Sequence, residues 1–340
     1  MKLVIDEKIP YIRGEAERLG DCVYLPGAQI SAADVRDADA LIVRTRTRCD
    51  RALLEGSRVR FIATATIGYD HIDTDYLRAA GIAWTNCPGC NAGSVGQYVA
   101  ASLIRLELAG KSRLQGATVG VVGVGRVGSR VVEAVSALGC RVLLNDPPRA
   151  EKEDGFVSLE QILQEADVIS IHTPLTYDGP YPTYHLFGAD TFAAIPPHRH
   201  PVLLNAGRGE VVDTEALKTA VSSGNLGPVI IDTWENEPRI DRTLLDMAFI
   251  ATPHIAGYSA DGKANGTRIA LEAVARFFGV PIKFDIKAPK FPDESAYFEP
   301  LADERLRLYD PFRDSLALKA DPAAFERLRG DYPLRRERYL

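Results

Sequence analysis

The chain has 340 residues, of which 46% are apolar and 25% are charged, and its formal net charge at pH 7 is −6. Because single domains usually hold about 100–200 residues, this length predicts two large domains and a smaller third region. The composition excludes a largely disordered, collagen-like or coiled-coil chain, and the acidic balance argues against a nucleic-acid partner.

The sequence offers no feature of a membrane or exported protein. Its longest apolar run is well short of the ~18–20 residues of a membrane span, and no export signal is visible. The five cysteines form an odd, sparse set, which favours the reducing cytoplasm over a disulfide framework. Cys87 and Cys90 have metal or redox spacing, but no second such pair accompanies them. A plain Pro-Gly turn is therefore favoured, and no metal site is predicted.

The first hundred residues alternate short apolar runs with helical stretches. Helices are expected over 11–19 and 91–108. The apolar runs lack polar alternation, which indicates a parallel sheet covered on both faces. The predicted strands are 3–5, 23–24, 40–43, 61–65 and 82–84.

A second series of apolar runs begins at residue 118. Six strands alternating with helices predict a doubly wound sheet over roughly 96–255. A closing helix over 267–278 returns to the first domain, which would make that domain discontinuous. Proline-rich sequence follows, with another helical stretch over 321–329. The predicted strands are 118–122, 141–144, 168–171, 202–204, 229–231 and 249–250.

A glycine turn follows the first strand of this second series. Gly123, Gly125 and Gly128 match GxGxxG between a buried strand and a helix, and Asp146 lies 18 residues beyond the last glycine. This context indicates a dinucleotide site, with the pyrophosphate at the helix N-terminus. Asp146 would accept hydrogen bonds from the ribose hydroxyls and repel a 2′-phosphate, so NAD is favoured over NADP. Arg149 nearby is the one residue that weakens this preference.

Three later segments, 205–209, 232–238 and 252–257, bring charged groups to the ends of predicted strands, where ligands bind in open α/β sheets. Arg208 would bind a substrate carboxylate through its planar fork. His254 would exchange a hydroxyl proton, with Glu237 orienting the imidazole and stabilising its protonated form.

Singly, these three residues have ordinary structural explanations as loop or turn residues, but together they form a complete set for oxidising a 2-hydroxy acid. Asp232, at a strand end, would face the nicotinamide ring and favour its oxidised, positively charged form. Evidence for a phosphorylated substrate is thinner. Arg44, Arg46 and Arg48 follow a strand and would hold a phosphate, but their alternation equally fits a solvated edge.

On these motifs the chain resembles the D-isomer-specific 2-hydroxyacid dehydrogenases over about residues 1–280. Segments 63–73, 87–92, 146–150, 178–181 and 254–259 are most similar to a branch of that family that oxidises a phosphorylated four-carbon 2-hydroxy acid in vitamin B6 biosynthesis. The resemblance implies a homodimer built partly by a C-terminal domain, and a structural turn at Cys87 and Cys90.

The resemblance also implies site residues. Arg208, Glu237 and His254 would be catalytic. The expected substrate contacts are Thr45, Thr66 and Tyr258 from the resemblance, and Arg44 from its place after a strand. Together with the glycine turn, the resemblance gives the expected NAD contacts as Gly123, Gly125, Arg126, Val127, Gly128, Asp146, Thr173, Ala206, Gly207, Asp232 and Gly257.

The predicted fold class is α/β with two doubly wound parallel sheets: a Rossmann nucleotide-binding domain over 96–255 and a flavodoxin-like substrate domain from 1–95 plus 256–284. A small C-terminal dimerisation region would occupy 285–340. Two functional alternatives stay open: another D-2-hydroxyacid dehydrogenase, such as a 3-phosphoglycerate dehydrogenase, and a binding protein that senses NAD without catalysis.

Overall fold

The structure is a computed structural model that describes residues 1–290 and 303–337. All of the strand pairs are parallel. The strands are β1 (Lys2–Asp6), β2 (Asp21–Leu25), β3 (Ala40–Val43), β4 (Phe61–Thr64), β5 (Ala83–Thr85), β6 (Thr118–Val122), β7 (Arg141–Asn145), β8 (Val168–Ile171), β9 (Val202–Asn205), β10 (Val229–Ile231) and β11 (Ile250–Ala251).

Helices alternate with these strands and also follow them. The α-helices are α1 (Ala32–Val35), α2 (Arg51–Leu54), α3 (Thr74–Ala80), α4 (Ala92–Leu108), α5 (Arg126–Ala137), α6 (Pro147–Ala150), α7 (Leu159–Glu165), α8 (Ala189–Ala193), α9 (Thr214–Ser222), α10 (Arg242–Met247), α11 (Ala260–Phe277), α12 (Pro311–Ala320) and α13 (Phe325–Gly330). Short 3-10 segments are Ala16–Arg18, Gly27–Gln29, Gly209–Val211, Glu304–Leu306 and Pro322–Ala324. No helix in the described ranges is both long and apolar enough to cross a membrane.

One compact unit comprises Met1–Asn91 and Ser259–Lys290. Its five strands lie in the order β2-β1-β3-β4-β5, the flavodoxin-like arrangement expected from the sequence. Strands β3 and β4 are buried at every position, since helices cover both faces of the sheet. The return of α11 places Ala270, Leu271 and Val274 in the same core as β1, as expected for a discontinuous chain path.

The other unit comprises Ala92–Tyr258 together with the described residues 303–337. Its six strands lie in the order β11-β10-β9-β8-β6-β7, which confirms a doubly wound sheet. The chain runs outward from β6 to β7 and then returns to the opposite side of β6 as β8. The topological switch point therefore lies between β6 and β8, and a ligand crevice is expected at their carboxyl ends.

The described part of the C-terminal region packs on this second unit. Leu318 of α12 and Phe325 of α13 are fully buried in the core that also contains the β8 and β9 side chains. Ser315 Oγ accepts a hydrogen bond from the Ala251 nitrogen at 2.9 Å, which ties α12 to the edge strand β11.

The helix expected over 11–19 is wrong. Ile12, Ala16 and Leu19 are buried at helix-like spacing, but Tyr11 and Gly14 have φ values of 59° and 86°. Left-handed backbone cannot continue an α-helix, so the chain buries these side chains through turns and one 3-10 segment. Helix α11 also begins seven residues before the predicted start at 267, where Ser259 caps it by accepting from the Gly262 nitrogen.

Candidate active site

The glycine turn has the backbone geometry that the motif requires. Gly123 has a φ of +87°, and a methyl group on Gly128 would lie 2.0 Å from the Gly123 oxygen, so helix α5 and the turn approach each other closely. A methyl group on Gly125 would meet nothing within 4 Å. Gly125 caps the N-terminus of α5 without a side-chain hydrogen bond, so no cap side chain competes with a ligand for the first N–H groups of the helix. Arg126 is exposed beside it, and Val127 is half-buried.

Asp146 lies directly after β7 and holds the glycine turn. Its Oδ2 accepts from the Val124 nitrogen at 2.9 Å, and its Oδ1 accepts from the Arg149 nitrogen at 3.3 Å. The Arg149 guanidinium is bound to both carboxylate oxygens of Glu153, at 2.9 and 2.5 Å, and to the Val124 oxygen at 2.6 Å. Arg149, the residue that weakened the preference for NAD over NADP, is therefore already engaged by Glu153 and by the Val124 oxygen.

Thr173, which follows β8, lies beside the glycine turn at the switch point. A methyl group on Gly123 would be 2.8 Å from the Thr173 nitrogen, and one on Gly207 would be 3.1 Å from the Thr173 oxygen. The Thr173 Oγ1 atom is buried and has no hydrogen-bond partner among the described residues. The open glycine backbone, the Asp146 carboxylate and this unpaired hydroxyl fit a polar dinucleotide. Ala206, half-buried, precedes Gly207.

Arg208 lies on the loop after β9. Its Nη1 donates to the Gly207 oxygen at 2.9 Å, and it forms no ion pair with a described residue. A methyl group on the next residue, Gly209, would lie 2.0 Å from the Trp234 carbon and oxygen. Only glycine allows this approach, which brings the loop of Arg208 against the backbone of the segment that carries Glu237.

Glu237 and His254 form a hydrogen-bonded pair. Glu237 Oε2 lies 2.8 Å from His254 Nδ1, while Oε1 accepts from the Trp234 nitrogen at 2.9 Å. Burial opposes ionisation of Glu237, but attraction to His254, these hydrogen bonds and the nearby Arg329 outweigh it, so the pKa of Glu237 is lowered. The His254 side chain is 32% exposed, and its Nε2 bonds to no described residue. Nε2 is therefore the nitrogen open to a substrate.

Asp232 organises the loop that carries His254. It is 1% exposed, and its carboxylate accepts from the Thr252 hydroxyl at 2.6 Å and from the Ile255 and Ala256 nitrogens at 2.8 and 3.0 Å. Burial raises its pKa, against the opposing effects of His254 and these hydrogen bonds. Contact of Asp232 and the half-buried Gly257 with a nicotinamide ring stays a prediction.

Tyr258 follows this loop. Its nitrogen donates to the Ile255 oxygen at 2.8 Å, and its ring meets Tyr332 edge-on at 5.9 Å. The Arg329 guanidinium lies 5.9 Å from the same ring. Tyr258 is thus held by residues of the C-terminal region, a set of contacts that no local sequence pattern indicates.

The expected substrate contacts of the first unit follow its strands. Arg44 donates to the Lys8 oxygen at 3.0 Å, Thr45 is exposed, and Thr66 Oγ1 donates to the Gly68 oxygen at 2.9 Å. Arg48 is paired with Asp50 at 3.0 Å.

Lys263 is a cation of the first unit that the sequence patterns did not indicate. Burial and the nearby Arg44 both lower its pKa, so two cations are close enough to repel each other. Two neighbouring cations are stabilised by a bound anion, so this arrangement favours the interpretation of Arg44 as an anion ligand over its interpretation as part of a solvated edge.

Cys87 and Cys90 are both buried and free of disulfides. The Cys87 thiol donates to the Thr64 and Gly266 oxygens at 3.3 and 3.2 Å, and burial raises its pKa strongly. Within 1–290 and 303–337 no cluster of three metal-ligating side chains is found.

Comparison with known proteins identifies the family. The family model described as the D-isomer specific 2-hydroxyacid dehydrogenase, NAD binding domain, matches residues 94–256. Among solved structures, D-lactate dehydrogenase of Aquifex aeolicus, complexed with NAD and lactic acid, is 26% identical with a TM-score of 0.65, covering 82% of this chain and 96% of that one. NAD-bound 3-phosphoglycerate dehydrogenase of Entamoeba histolytica, 24% identical with a TM-score of 0.69 over 86% and 99% of the two chains, shows the shared fold.

Sequence relatives place the chain within that family. An erythronate-4-phosphate dehydrogenase of Bacteroides fragilis is 51% identical over 340 residues, covering 99% of this chain and 97% of the relative. One from Chromohalobacter salexigens is 46% identical, covering 99% and 92% of the two chains. These similarities confirm the family and the branch expected from the motifs. The chain therefore belongs to the erythronate-4-phosphate dehydrogenases, a branch of the D-isomer specific 2-hydroxyacid dehydrogenase family, and carries that family's NAD-binding domain.

Proposed function

We propose that the chain catalyses the NAD-dependent oxidation of 4-phospho-D-erythronate to (R)-3-hydroxy-2-oxo-4-phosphooxybutanoate, a step in the biosynthesis of pyridoxal 5′-phosphate. The observation that carries the proposal is the hydrogen-bonded pair of Glu237 and His254, with Nε2 of His254 available to a hydroxyl group. The names of the relatives supply the substrate.

In the proposed reaction, Arg208 binds the substrate carboxylate through its guanidinium fork and so orients the neighbouring C2 atom. Nε2 of His254 accepts the proton of the C2 hydroxyl as the C2–H bond breaks and the C2–O bond becomes a carbonyl. The ionised Glu237 stabilises the resulting imidazolium through Nδ1. NAD, when bound, supplies the acceptor for the hydride.

The NAD site is proposed at the carboxyl ends of β6 and β8. The open backbone at Gly125 and the N-terminus of α5 would hold the pyrophosphate. Asp146 would accept from the ribose hydroxyls, and the buried Thr173 hydroxyl would gain a partner from the same ligand. Backbone at Ala206, Gly207 and Gly257 would complete the site.

The remaining substrate contacts are proposed on Thr45, Thr66 and Tyr258, with Arg44 contacting the phosphate. The pairing of Arg48 with Asp50 leaves Arg44 the better phosphate ligand of the two, and Lys263 beside Arg44 adds a second positive charge. In an acidic chain of net charge −6, local cations of this kind are needed to hold a substrate that carries both a carboxylate and a phosphate.

The domain division that accompanies this proposal assigns 1–95 with 256–284 to substrate binding, 96–255 to NAD and 285–340 to dimerisation. A homodimer in the cytoplasm is part of the same proposal, supported by the resemblance to the family. Sedimentation velocity on the intact protein tests the dimer, and the dimerisation role is wrong if the chain sediments as a monomer.

The function is tested by following NADH and the oxidised product, the latter by mass spectrometry, with 4-phosphoerythronate and with 3-phosphoglycerate, each with and without an added 2-oxo acid. A kcat/KM at least about tenfold higher for 4-phosphoerythronate supports the proposal. Preference for 3-phosphoglycerate favours the general dehydrogenase alternative, and NAD binding without turnover on either acid favours a sensor. Turnover that requires the 2-oxo acid would indicate a tightly held cofactor that is reoxidised in place.

A further inference from the structure

Arg335, near the C-terminal end of the described chain, is a buried cation. It is 3% exposed. Its Nε donates to Gln97 Oε1 at 2.9 Å, and its guanidinium carbon lies 3.6 Å from the centre of the Tyr309 ring. No carboxylate of the described residues lies within ion-pair distance of it, and Asp314 interacts with its charge only at longer range. Burying this charge is costly, so the groups that hold Arg335 have to compensate largely by direct hydrogen bonds.

The other contacts of Arg335 are backbone carbonyls. Its Nη2 donates to the Ser94 oxygen at 2.5 Å, and its Nη1 donates to the oxygens of Ile255 and Ala256, each at 3.3 Å. Ile255 and Ala256 directly follow His254. Nη1 of the guanidinium therefore bonds to the backbone of the loop that presents the imidazole, while its other nitrogens bond to α4.

Asp232 holds the same two residues through their nitrogens, at 2.8 and 3.0 Å. A buried anion thus binds the N–H groups of this loop, and a buried cation binds its carbonyls. His254 itself has a φ of 56°, a left-handed conformation that persists where the surroundings hold it. Its nitrogen donates to the Asp232 oxygen at 2.8 Å.

We infer that Arg335 is a positioning residue for His254, fixing with Asp232 the loop 254–256 so that Nε2 points at the substrate hydroxyl. The inference rests on the proposed function for the identity of the reaction. A second arginine of the same region supports it: Arg329 Nη1 lies 4.0 Å from Glu237 Oε2. The C-terminal region therefore contacts Glu237 and the loop that carries His254, a role separate from dimerisation.

A positioning role and a purely structural role predict different kinetics. Misplacing a catalytic group by about 1 Å costs up to about 10²-fold in rate. Loss of the hydrogen bonds from Arg335 to the loop should therefore lower kcat, while KM for NAD, which depends on the glycine turn, stays the same. A purely structural role would lower the amount of folded enzyme and leave the kcat of the folded fraction unchanged.

The experiment compares Arg335→Ala and Arg335→Lys with Arg327→Ala, a matched control on α13 whose arginine pairs only with the exposed Asp321 among the described residues. All variants are assayed with 4-phosphoerythronate and NAD, and the folded fraction is measured by near-UV circular dichroism at the assay temperature. Arg335→Ala is also assayed with ethylguanidinium, which can replace the missing fork.

The expected result is a kcat about 10- to 100-fold lower in Arg335→Ala, with KM for NAD within about twofold. Ethylguanidinium should restore part of the loss, Arg335→Lys should be intermediate, and Arg327→Ala should match the wild type. A kcat per folded enzyme equal to wild type in Arg335→Ala overturns the inference. If Arg335→Ala does not fold, the kcat per folded enzyme of Arg335→Lys is compared with the wild type instead, and equality again overturns the inference.

A readout independent of turnover separates this inference from the proposed function. The rate at which diethyl pyrocarbonate modifies His254, measured by mass spectrometry, should rise several-fold in Arg335→Ala and Arg335→Lys but not in Arg327→Ala. If the wild type has no activity on 4-phosphoerythronate, the proposed substrate is wrong, but the modification rate still tests the positioning role of Arg335. An unchanged modification rate in folded Arg335 variants overturns that role, whatever the substrate.

Discussion

Nδ1 of His254 lies 2.8 Å from Oε2 of Glu237, and the two residues come from loops after the neighbouring strands β10 and β11. Because the carboxylate accepts from Nδ1, the proton of neutral His254 is placed on that nitrogen, and Nε2 carries the lone pair. His254 is thus arranged to accept a proton at Nε2 while the hydrogen bond from Nδ1 to Glu237 holds the ring in place.

Replacing His254 by alanine should lower kcat about 10²–10⁴-fold, since general acid–base catalysis typically contributes that factor. Glu237→Gln, which keeps the shape but loses the charge, should give a smaller loss. NADH formation under saturating substrate measures both effects. His198→Ala, at an exposed histidine, is the matched control. Near-wild-type turnover in His254→Ala would sink the assignment of the acid–base residue.

Substitutions at two glycines of the turn should have different effects, one on the stability of the fold and the other on NAD binding. Alanine at Gly128 would place a methyl group 2.0 Å from the Gly123 oxygen, whereas alanine at Gly125 meets nothing within 4 Å. Gly128→Ala should therefore lower the melting temperature of the apoenzyme by several degrees.

Gly125→Ala should melt like the wild type but bind NAD at least about tenfold more weakly, because its methyl group occupies the space next to the pyrophosphate. Differential scanning fluorimetry and titration of tryptophan fluorescence with NAD measure the two properties. If Gly125→Ala binds NAD normally, the pyrophosphate does not lie on this turn.

Asp146 should determine the choice of cofactor. Asp146→Ala removes the ribose acceptor and the charge that repels a 2′-phosphate, so kcat/KM for NAD should fall about 10- to 100-fold, as expected for a hydrogen bond to a charged group. The ratio of kcat/KM with NAD to kcat/KM with NADP should fall towards one in the same variant. Steady-state kinetics with both cofactors measure this, with Asp154→Ala at an exposed aspartate as the control. An unchanged ratio would mean that other groups select the cofactor.

Much of the fold follows from local sequence patterns. The apolar runs predicted all eleven strands, because a parallel sheet covered on both faces needs continuous apolar segments. Its spacing from GxGxxG at the end of a strand placed Asp146 near the glycine turn, where it bonds to the Val124 nitrogen, while its contact with a ribose stays a prediction. The helix over 11–19 was wrong because burial at helical spacing does not fix the backbone, which is left-handed at Tyr11 and Gly14.

The supporting residues of the site were not predictable in this way. Arg335 donates hydrogen bonds to residues 79 to 241 positions away in sequence, and its proposed role depends on that packing. Lys263 lies on α11 and becomes relevant only because the fold brings Arg44 near it. Neither residue occurs in a motif whose spacing carries chemistry, so periodicity and local patterns contain no signal for them.

Asp314 of α12 should make stability depend on pH near neutrality. Burial raises its pKa from 3.8 to about 6, with Asp232 adding to the rise, while Arg335 and the Tyr332 and Tyr309 hydroxyls oppose it. Both hydroxyls donate to Asp314 Oδ2, at 2.8 and 3.1 Å.

Between about pH 4 and 6 the folded state binds a proton at Asp314 that the unfolded state does not, so this group's stabilisation is greatest below pH 4 and is lost as pH rises through 6. Asp314→Asn cannot ionise. Relative to wild type, its free energy of unfolding should therefore improve by about 1–2 kcal/mol between pH 5 and pH 8. Urea denaturation of both proteins at each pH measures the difference, and Asp331→Asn, at an exposed aspartate, should show no such trend. A variant whose stability relative to wild type is the same at both pH values would mean that Asp314 ionises in the fold as it does in water.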